Sequence, residues 1–262
     1  MLTPAEFERL HRCGDPLLLP NAWDLASARW LHAAGHAVVG TTSLGVAVAA
    51  GKPDGSGETA AETFDLARRI AAVGISVTVD LEAGFSDDPA EVGAFAARLA
   101  SLGVVGVNIE DSDEAGRLVD VELASAKIAA IAAAAPALYL NARTDPFWIE
   151  GATDAAARRR EAIARADRYL AAGASGVFVP GVLTADTIAA LVRDIPAPLN
   201  VLAQAGLTMP ELAGLGVARV STGSLLFRLA LGAIGSAARE LRAGTFTTPS
   251  GTPSYEEVAS LG

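Results

Sequence analysis

Three short stretches of the chain carry residue types from which metal-assisted or carbanion chemistry can be built. They are Asp80-Leu81-Glu82-Ala83-Gly84, Asn108-Ile109-Glu110-Asp111 and Asn141-Ala142-Arg143-Thr144-Asp145. Each ends an apolar run short enough to be a buried strand. Side chains two apart along a strand share a face. Thr78, Asp80 and Glu82 are therefore expected on one side, and Val77, Val79 and Leu81 on the other. The same parity groups Asn108 with Glu110, and Asn141 with Arg143 and Asp145. On neighbouring strands, Asp80, Glu82 and Glu110 would converge on one small volume. Three carboxylates so close repel unless a cation or protons intervene, and Arg143 can neutralise only one of them. The bland alternative is a set of strand-end carboxylates paired with Lys or Arg. Oxygen ligands with no Cys or His nearby favour Mg²⁺, with Mn²⁺ as the second choice, over Zn²⁺.

Positioning such groups requires parallel strands. Candidate strands are Leu17–Leu19, Ala37–Gly40, Val77–Asp80, Gly106–Ile109, Leu138–Asn141, Gly176–Val179, Leu199–Leu202 and Ala218–Val220. Each precedes a helical pattern: Asp24–Ala34, Thr59–Val73, Pro89–Leu102, Glu122–Ala133, Thr153–Ala172, Thr184–Arg193, Met209–Leu215 and Leu225–Leu241. Eight strand–helix pairs are the number that closes a (β/α)8 TIM-type barrel, whose chemistry sits at the C-terminal strand ends. Gly35, Gly103, Gly173 and Gly216 each stand where a helix must turn back toward the next strand. An open doubly wound sheet is the competing architecture, but no Gly-x-Gly-x-x-Gly turn follows the first strand. The barrel is expected over residues 1–243. A linker from Gly244 to Pro253 and a short helix begun by the capping-box spacing Ser254-Tyr255-Glu256-Glu257 complete 244–262. Strand two ends in Thr41-Thr42-Ser43, and the other four strand ends are poorer in chemistry: Asn21 and Trp23, then Pro180, Gln204, and Ser221-Thr222. Trp23 is expected to line the pocket or to pack beside it.

The net charge is −10, which argues against nucleic acid or an anionic membrane as partner, since both need a basic face. It leaves room for a small anionic substrate held by a local Arg. A single cysteine, Cys13, excludes an intrachain disulfide and suits a reducing cytoplasm. No apolar stretch is long enough for a membrane span, and the N-terminus lacks a signal-peptide profile. Several other patterns carry less. Asp111-Ser112-Asp113 with Gly116 and Glu122 copies part of a calcium loop but follows a strand and lacks one ligand, so it reads as a lid. His32 and His36 have no third ligand nearby, and all three histidines fall in the first 36 residues. Arg158-Arg159-Arg160 with Arg165 and Arg168 reads as a solvated helix face.

Five motifs in order carry a resemblance. Pro20-Asn21-Ala22-Trp23-Asp24, Thr42-Ser43-Leu44-Gly45 followed by Pro53-Asp54-Gly55, Val79-Asp80-Leu81-Glu82-Ala83-Gly84, Ile109-Glu110-Asp111 and Asn141-Ala142-Arg143-Thr144-Asp145 resemble the isocitrate lyase/phosphoenolpyruvate mutase superfamily. The resemblance runs from about Pro20 to Ser221. It implies a barrel that binds Mg²⁺ and a 2-oxo or enolpyruvyl carboxylate. By motif position it implies Asp80 as direct metal ligand, with Asp54, Glu82 and Glu110 holding metal-bound waters. Thr42 and the N–H groups of Ser43 and Leu44 would bind the substrate carboxylate, and Arg143 the substrate oxygens. Arg143, Asp54 and Glu110 are the implied catalytic set, with Asp80 also facing the substrate. Relatives exchange their last barrel helix between subunits, so a homo-oligomer is implied, tetramer before dimer.

The departures are as informative. Lyases of this superfamily carry a Cys-containing loop after the strand-four Glu-Asp, and mutases carry a Lys and an Asn-Ser pair there. This chain has Ser112-Asp113-Glu114-Ala115-Gly116-Arg117-Leu118, with no Cys, Lys or His. Where relatives have Glu or His at the sixth strand end, it has Gly181. The expectation is an Mg²⁺-dependent enzyme that cleaves a C–C bond next to the carbonyl of an oxaloacetate- or 2-oxoglutarate-like acid through an enolate, by decarboxylation or hydrolysis. A non-catalytic 2-oxo acid binding protein that keeps the metal site is the alternative from another class.

Overall fold

A computed structural model describes residues 1–149 and 154–262. Its strands are β1 (Leu17–Leu19), β2 (Asn21–Ala22), β3 (Val38–Thr41), β4 (Ser76–Asp80), β5 (Gly106–Glu110), β6 (Tyr139–Arg143), β7 (Gly176–Phe178), β8 (Leu199–Leu202) and β9 (Arg219–Ser221). All pair in parallel, in the order β1-β9-β8-β7-β6-β5-β4-β3-β2. The two ends of this order are halves of one strand, divided only by Pro20. Proline has no N–H for the ladder, yet the Pro20 carbonyl still accepts the Gly40 N–H at 2.9 Å. The first expected barrel strand is thus split, β1 pairing with β9 and β2 with β3, and the sheet wraps into the expected TIM-type barrel.

The helices are α1 (Pro4–Glu8), α2 (Leu25–Ala33), α3 (Ser43–Ala49), α4 (Ala60–Ala72), α5 (Pro89–Ser101), α6 (Val121–Ala134), α7 (Ala155–Ala171), α8 (Ala185–Asp194), α9 (Met209–Gly214), α10 (Leu225–Arg242) and α11 (Tyr255–Ala259). Asp24, Asp88, Asp120, Asp154, Thr184 and Thr208 cap their helices with side-chain oxygens, satisfying N–H groups that have no partner inside the helix. The four punctuating glycines all have positive φ, where other residues are strained. The expected start of the fifth helix, Thr153, lies outside the described residues. α1 and α3 were not expected: both are short, and α3 begins directly at the end of β3, inside what the sequence presents as a strand terminus.

The apolar parity set, including Val77, Val79, Leu81, Val107, Ile109, Leu140 and Ala142, is buried between sheet and helices. A second cluster under α7, α8 and α9 includes Val177, Val201, Leu191 and Leu212. Phe7 of α1 closes the N-terminal end of the barrel against Leu19, Val38, Val105 and Tyr139. The barrel interior above them is polar. Beyond α10 the chain runs without regular structure to α11, whose capping box forms as the spacing predicts. Arg29 of α2 donates to the Leu261 carbonyl, so the tail returns to the barrel wall. Among the described residues no helix is long and apolar enough to cross a membrane.

Candidate active site at the barrel mouth

A cavity of ≈620 Å³ opens at the C-terminal ends of the strands, where β3, β4, β5 and β6 deliver their terminal side chains. Thr42, Ser43, Leu44, Asp54, Asp80, Glu110 and Arg143 line it. Of the nine candidate site residues, Glu82 and Trp23 are not in its wall.

Asp80 is the last residue of β4 and is held on three sides. Its N–H donates to Thr41 Oγ1 at 2.8 Å, Oδ2 accepts the Ser43 N–H at 3.2 Å, and Oδ1 accepts Asn108 Nδ2 at 3.1 Å. Asn108 Oδ1 in turn accepts Asn141 Nδ2 at 3.0 Å. The two asparagines, inward by strand parity, form a relay that fixes the carboxylate's orientation. The Ser43 contact means that one of the two expected anchor N–H groups already has an acceptor.

Arg143 ends β6. Its Nη1 lies 2.5 Å from Glu110 Oε2, and its Nε and Nη2 donate to Asp145 Oδ1 and Oδ2 at 2.7 and 2.9 Å. The guanidinium also lies over the rings of Trp148 and Phe178, 5.4 and 5.9 Å from their centroids. Asp145 is fully buried and also accepts Ser112 Oγ at 2.6 Å. Behind it, Asp111 takes hydrogen bonds from Thr144 Oγ1, the Asp145 N–H, Tyr169 OH and Arg165 Nη1. This buttress was missed at the sequence level, although the charge and spacing of Asp111 and Asp145 were visible there. It also corrects the reading of Arg165 as solvated: Arg165 is buried because α7 turns it onto Asp111 and the Val119 carbonyl.

Glu82 departs from the alternation expected of it, because β4 ends at Asp80. Its backbone has φ 49°, a left-handed conformation costing about 1–2 kcal/mol for a non-glycine residue. Buried there, its carboxylate accepts the Thr59 hydroxyl and the Gly57 N–H. Lys127, also buried, secures the next turn through the Ala83 carbonyl and Asp87. Of the two placements left open for Trp23, the structure shows the packed one. It packs edge-on to Phe227 at 5.3 Å, and its stem sits where a Cβ on Gly45 would be 2.6 Å away. Asn21, from the same motif, closes the barrel: its Oδ1 accepts from Thr222 and Gly223, and its Nδ2 donates to the Thr41 carbonyl. Gly181 has φ 127°, and a Cβ there would lie 2.6 Å from the Phe147 carbonyl, so the backbone of the neighbouring loop fills the space of a larger side chain.

The loop after β5 is a compact turn. Ser112 and Leu118 bridge antiparallel, and Asp113 accepts from the Ala115 and Arg117 N–H groups and the Arg117 side chain. Its residues Ser112, Asp113, Glu114 and Gly116 face the cavity. Cys13 is exposed, in the segment between α1 and β1.

The charges are unbalanced. Burial, with the neighbouring charges of Asp145, Asp80 and Asp54, raises the Glu110 carboxyl well above its ordinary range despite the opposing pull of Arg143. Burial and Asp80 raise Asp54, although part of its surface is open to solvent. Burial raises Glu82 against its hydrogen bonds to Thr59 and Gly57, with Asp80 and Asp54 adding to the rise. Burial alone would lower Arg143; Asp145 and Glu110 reverse this and keep it charged. A hard cation would relieve such a set. Among the described residues no three His, Cys, Asp or Glu groups are placed to hold one ion directly. One direct carboxylate, with others acting through water, is what this donor set allows, and it fits Mg²⁺, which keeps several of its waters.

Comparison with known proteins agrees with the architecture. The family profile described as phosphoenolpyruvate phosphomutase matches residues 7–242. An uncharacterized protein of Mycobacterium tuberculosis is 44% identical over 255 residues, covering 97% of this chain and 95% of its own. The 2-methylisocitrate lyase of Bacillus subtilis is 29% identical over 202 residues, covering 74% of this chain and 64% of its own. A Burkholderia cenocepacia crystal structure, provisionally called a phosphonomutase, superposes with a TM-score of 0.85 at 39% identity, over 90% of this chain and 99% of that one. Phosphonopyruvate hydrolase complexed with oxalate and Mg²⁺ (TM-score 0.82, 24% identity, 100% and 95% coverage) and oxaloacetate acetylhydrolase complexed with its product oxalate (0.84, 21%, 98% and 93%) share the fold. The chain belongs to the phosphoenolpyruvate phosphomutase family.

Proposed function

We propose that this protein is an Mg²⁺-dependent enzyme that cleaves a carbon–carbon bond adjacent to the carbonyl of a small 2-oxo dicarboxylate. The observation that carries this reading is the cavity itself, where Asp54, Asp80 and Glu110 share one wall with Arg143. Asp80 would hold the metal directly, with Asp54 and Glu110 holding its waters, while Glu82, outside the cavity wall and bonded to Thr59 and Gly57, would support them through its charge. Bound there, Mg²⁺ would draw electron density from the 2-oxo oxygen and stabilise the enolate charge that bond cleavage leaves. Arg143, fixed by Asp145, donates to the same oxygens. Thr42 and the Leu44 N–H receive the adjacent carboxylate, and the Ser43 N–H joins them once Asp80, which accepts it here, turns to the metal. Oxalate, found in two proteins of the same fold, is planar and doubly charged like an enolpyruvate, which supports this division of roles.

No residue of the turn 112–118 is suited to protonate a carbanion: it holds no Cys, Lys or His, Arg117 keeps the Asp113 carboxyl below its ordinary range, and Arg does not release its proton. The product enolate therefore takes its proton from water, which points to decarboxylation or hydrolysis rather than reversible lyase chemistry. The protein is read as a cytoplasmic homotetramer or homodimer, with the 244–262 tail at the subunit contacts. The test is an assay of the purified protein with a panel of 2-oxo diacids, in Mg²⁺ and in EDTA. Turnover in Mg²⁺ that EDTA abolishes is the expected result. Tight binding with no turnover would make the protein a binder instead.

A further inference from the structure

Two guanidinium groups enter the barrel from one row of the sheet. Arg143 is in register with Phe178, Phe178 with Asn200, and Asn200 with Arg219. Their surroundings differ sharply. Arg143 is paired with two carboxylates. Arg219 makes no ion pair among the described residues, is 3% exposed, and has no partner there for its Nε or Nη1. Burial pulls its pKa down to about 10, with the charge of Asp80 opposing the fall. Nearby Tyr139 is kept in its neutral form by burial, so it supplies no counter-charge. His11, stacked on Tyr139, is held neutral by burial and by Arg219 itself, its pKa lowered to about 3.

Arg219 nevertheless lines the same cavity as Asp80 and Arg143. Its neighbour Asn200 accepts the Ser221 hydroxyl at Oδ1, 3.1 Å away, while Nδ2 has no partner among the described residues. A guanidinium fork beside a free amide N–H is a set of donors shaped for a carboxylate. An unpaired buried charge is strongly unfavourable, so the fold gains by keeping one only where an anion arrives to offset it.

We propose that Arg219, assisted by Asn200, receives the second carboxylate of the substrate, the end remote from the group held at Thr42, Ser43 and Leu44. This rests on reading the cavity as a 2-oxo acid site. Arg219 is then the specificity-determining residue. A monocarboxylic 2-oxo acid leaves it unpaired, and a dicarboxylic one neutralises it.

The test compares wild type with Arg219→Gln and Arg219→Lys in Mg²⁺, using oxalate, 2-oxobutyrate and oxaloacetate as probes, with melting temperature as a second readout. Wild type is expected to prefer oxaloacetate to the equally long 2-oxobutyrate by roughly tenfold or more. Arg219→Gln erases that preference, leaves oxalate affinity unchanged, and melts no lower than wild type because an isolated charge has been removed. Arg219→Lys restores part of the preference. Retained preference in Arg219→Gln, or an equal loss of oxalate and oxaloacetate, overturns the proposal. If wild type ignores oxalate altogether, the metal reading fails, and the Arg219 subsite stands only if succinate alone raises the melting temperature of wild type and not of Arg219→Gln.

Discussion

Asp145 grips Arg143 in a two-pronged ion pair, Nε to Oδ1 at 2.7 Å and Nη2 to Oδ2 at 2.9 Å, from two residues along the same chain. The pair leaves Nη1 to Glu110 and sets the plane of the guanidinium across the cavity wall. Lysine would keep the charge but not the fork. Arg143→Lys is expected to weaken oxalate binding in Mg²⁺ by roughly tenfold or more, the worth of a charged hydrogen bond. Wild-type affinity in a calorimetric titration of that variant would show that Arg143 serves the fold.

A second expectation concerns pH. Asp54, Glu82 and Glu110 all have raised carboxyl pKa values, from burial first and then from one another and Asp80. Without metal, the folded protein keeps protons that the unfolded chain has already lost. Stability contributed by these groups is therefore present below the ordinary carboxylate range and falls as pH rises toward the raised values. Added Mg²⁺ competes with those protons, so its stabilisation grows with pH over the same window. Melting curves in EDTA and in Mg²⁺ should diverge steadily from about pH 5 upward. A constant gap between them would remove these carboxylates from the metal site.

The reaction-specific expectation follows from the turn after β5. With no Cys, Lys or His between Ser112 and Leu118, and Cys13 exposed before the first strand, the protein is expected to lack isocitrate lyase, methylisocitrate lyase and phosphonopyruvate mutase activity. This holds despite the 29% identity to a 2-methylisocitrate lyase. Glyoxylate or pyruvate release from either lyase substrate at more than about 1 s⁻¹, an ordinary enzymatic rate, would contradict it.

Assembly is read from α10 and the tail. Leu229, Leu231, Ile234 and Leu241 are each about half exposed or more, as are Phe246, Tyr255 and Val258 beyond them. So many exposed apolar side chains on one helix and the tail after it are expected to be covered by another subunit. Sedimentation at micromolar concentration should give a tetramer, or failing that a dimer, and Ile234→Glu should shift it toward monomer. A stable wild-type monomer would refute the reading.

The barrel was legible because each strand is a short apolar run and each helix is punctuated by a cap or a glycine. Asp24, Asp88 and Thr184 begin helices, and Gly35, Gly103, Gly173 and Gly216 follow their ends. Strand parity placed Asp80, Glu110 and Arg143 because all three still lie within their strands. It failed for Glu82, two residues beyond the end of β4, where the backbone turns and alternation has no meaning. Trp23 stayed open and Arg165 was misread for a different reason. Whether an aromatic ring faces a cavity or a neighbouring helix, and whether an Arg faces water or a buried Asp111, is decided by partners distant in sequence. Arg219 stood in an apolar run and drew no notice, because nothing in a strand's pattern says which inward position lacks an ion-pair partner.

The central claim is that Asp80 anchors a metal through which a 2-oxo acid is held. Its most direct test is a calorimetric titration of oxalate into wild type and Asp80→Ala, each with Mg²⁺ and with EDTA. Wild type should bind oxalate only in Mg²⁺, and Asp80→Ala should bind it in neither condition while keeping a cooperative melt. Equal oxalate affinity with and without Mg²⁺, or unchanged affinity in Asp80→Ala, would contradict the account.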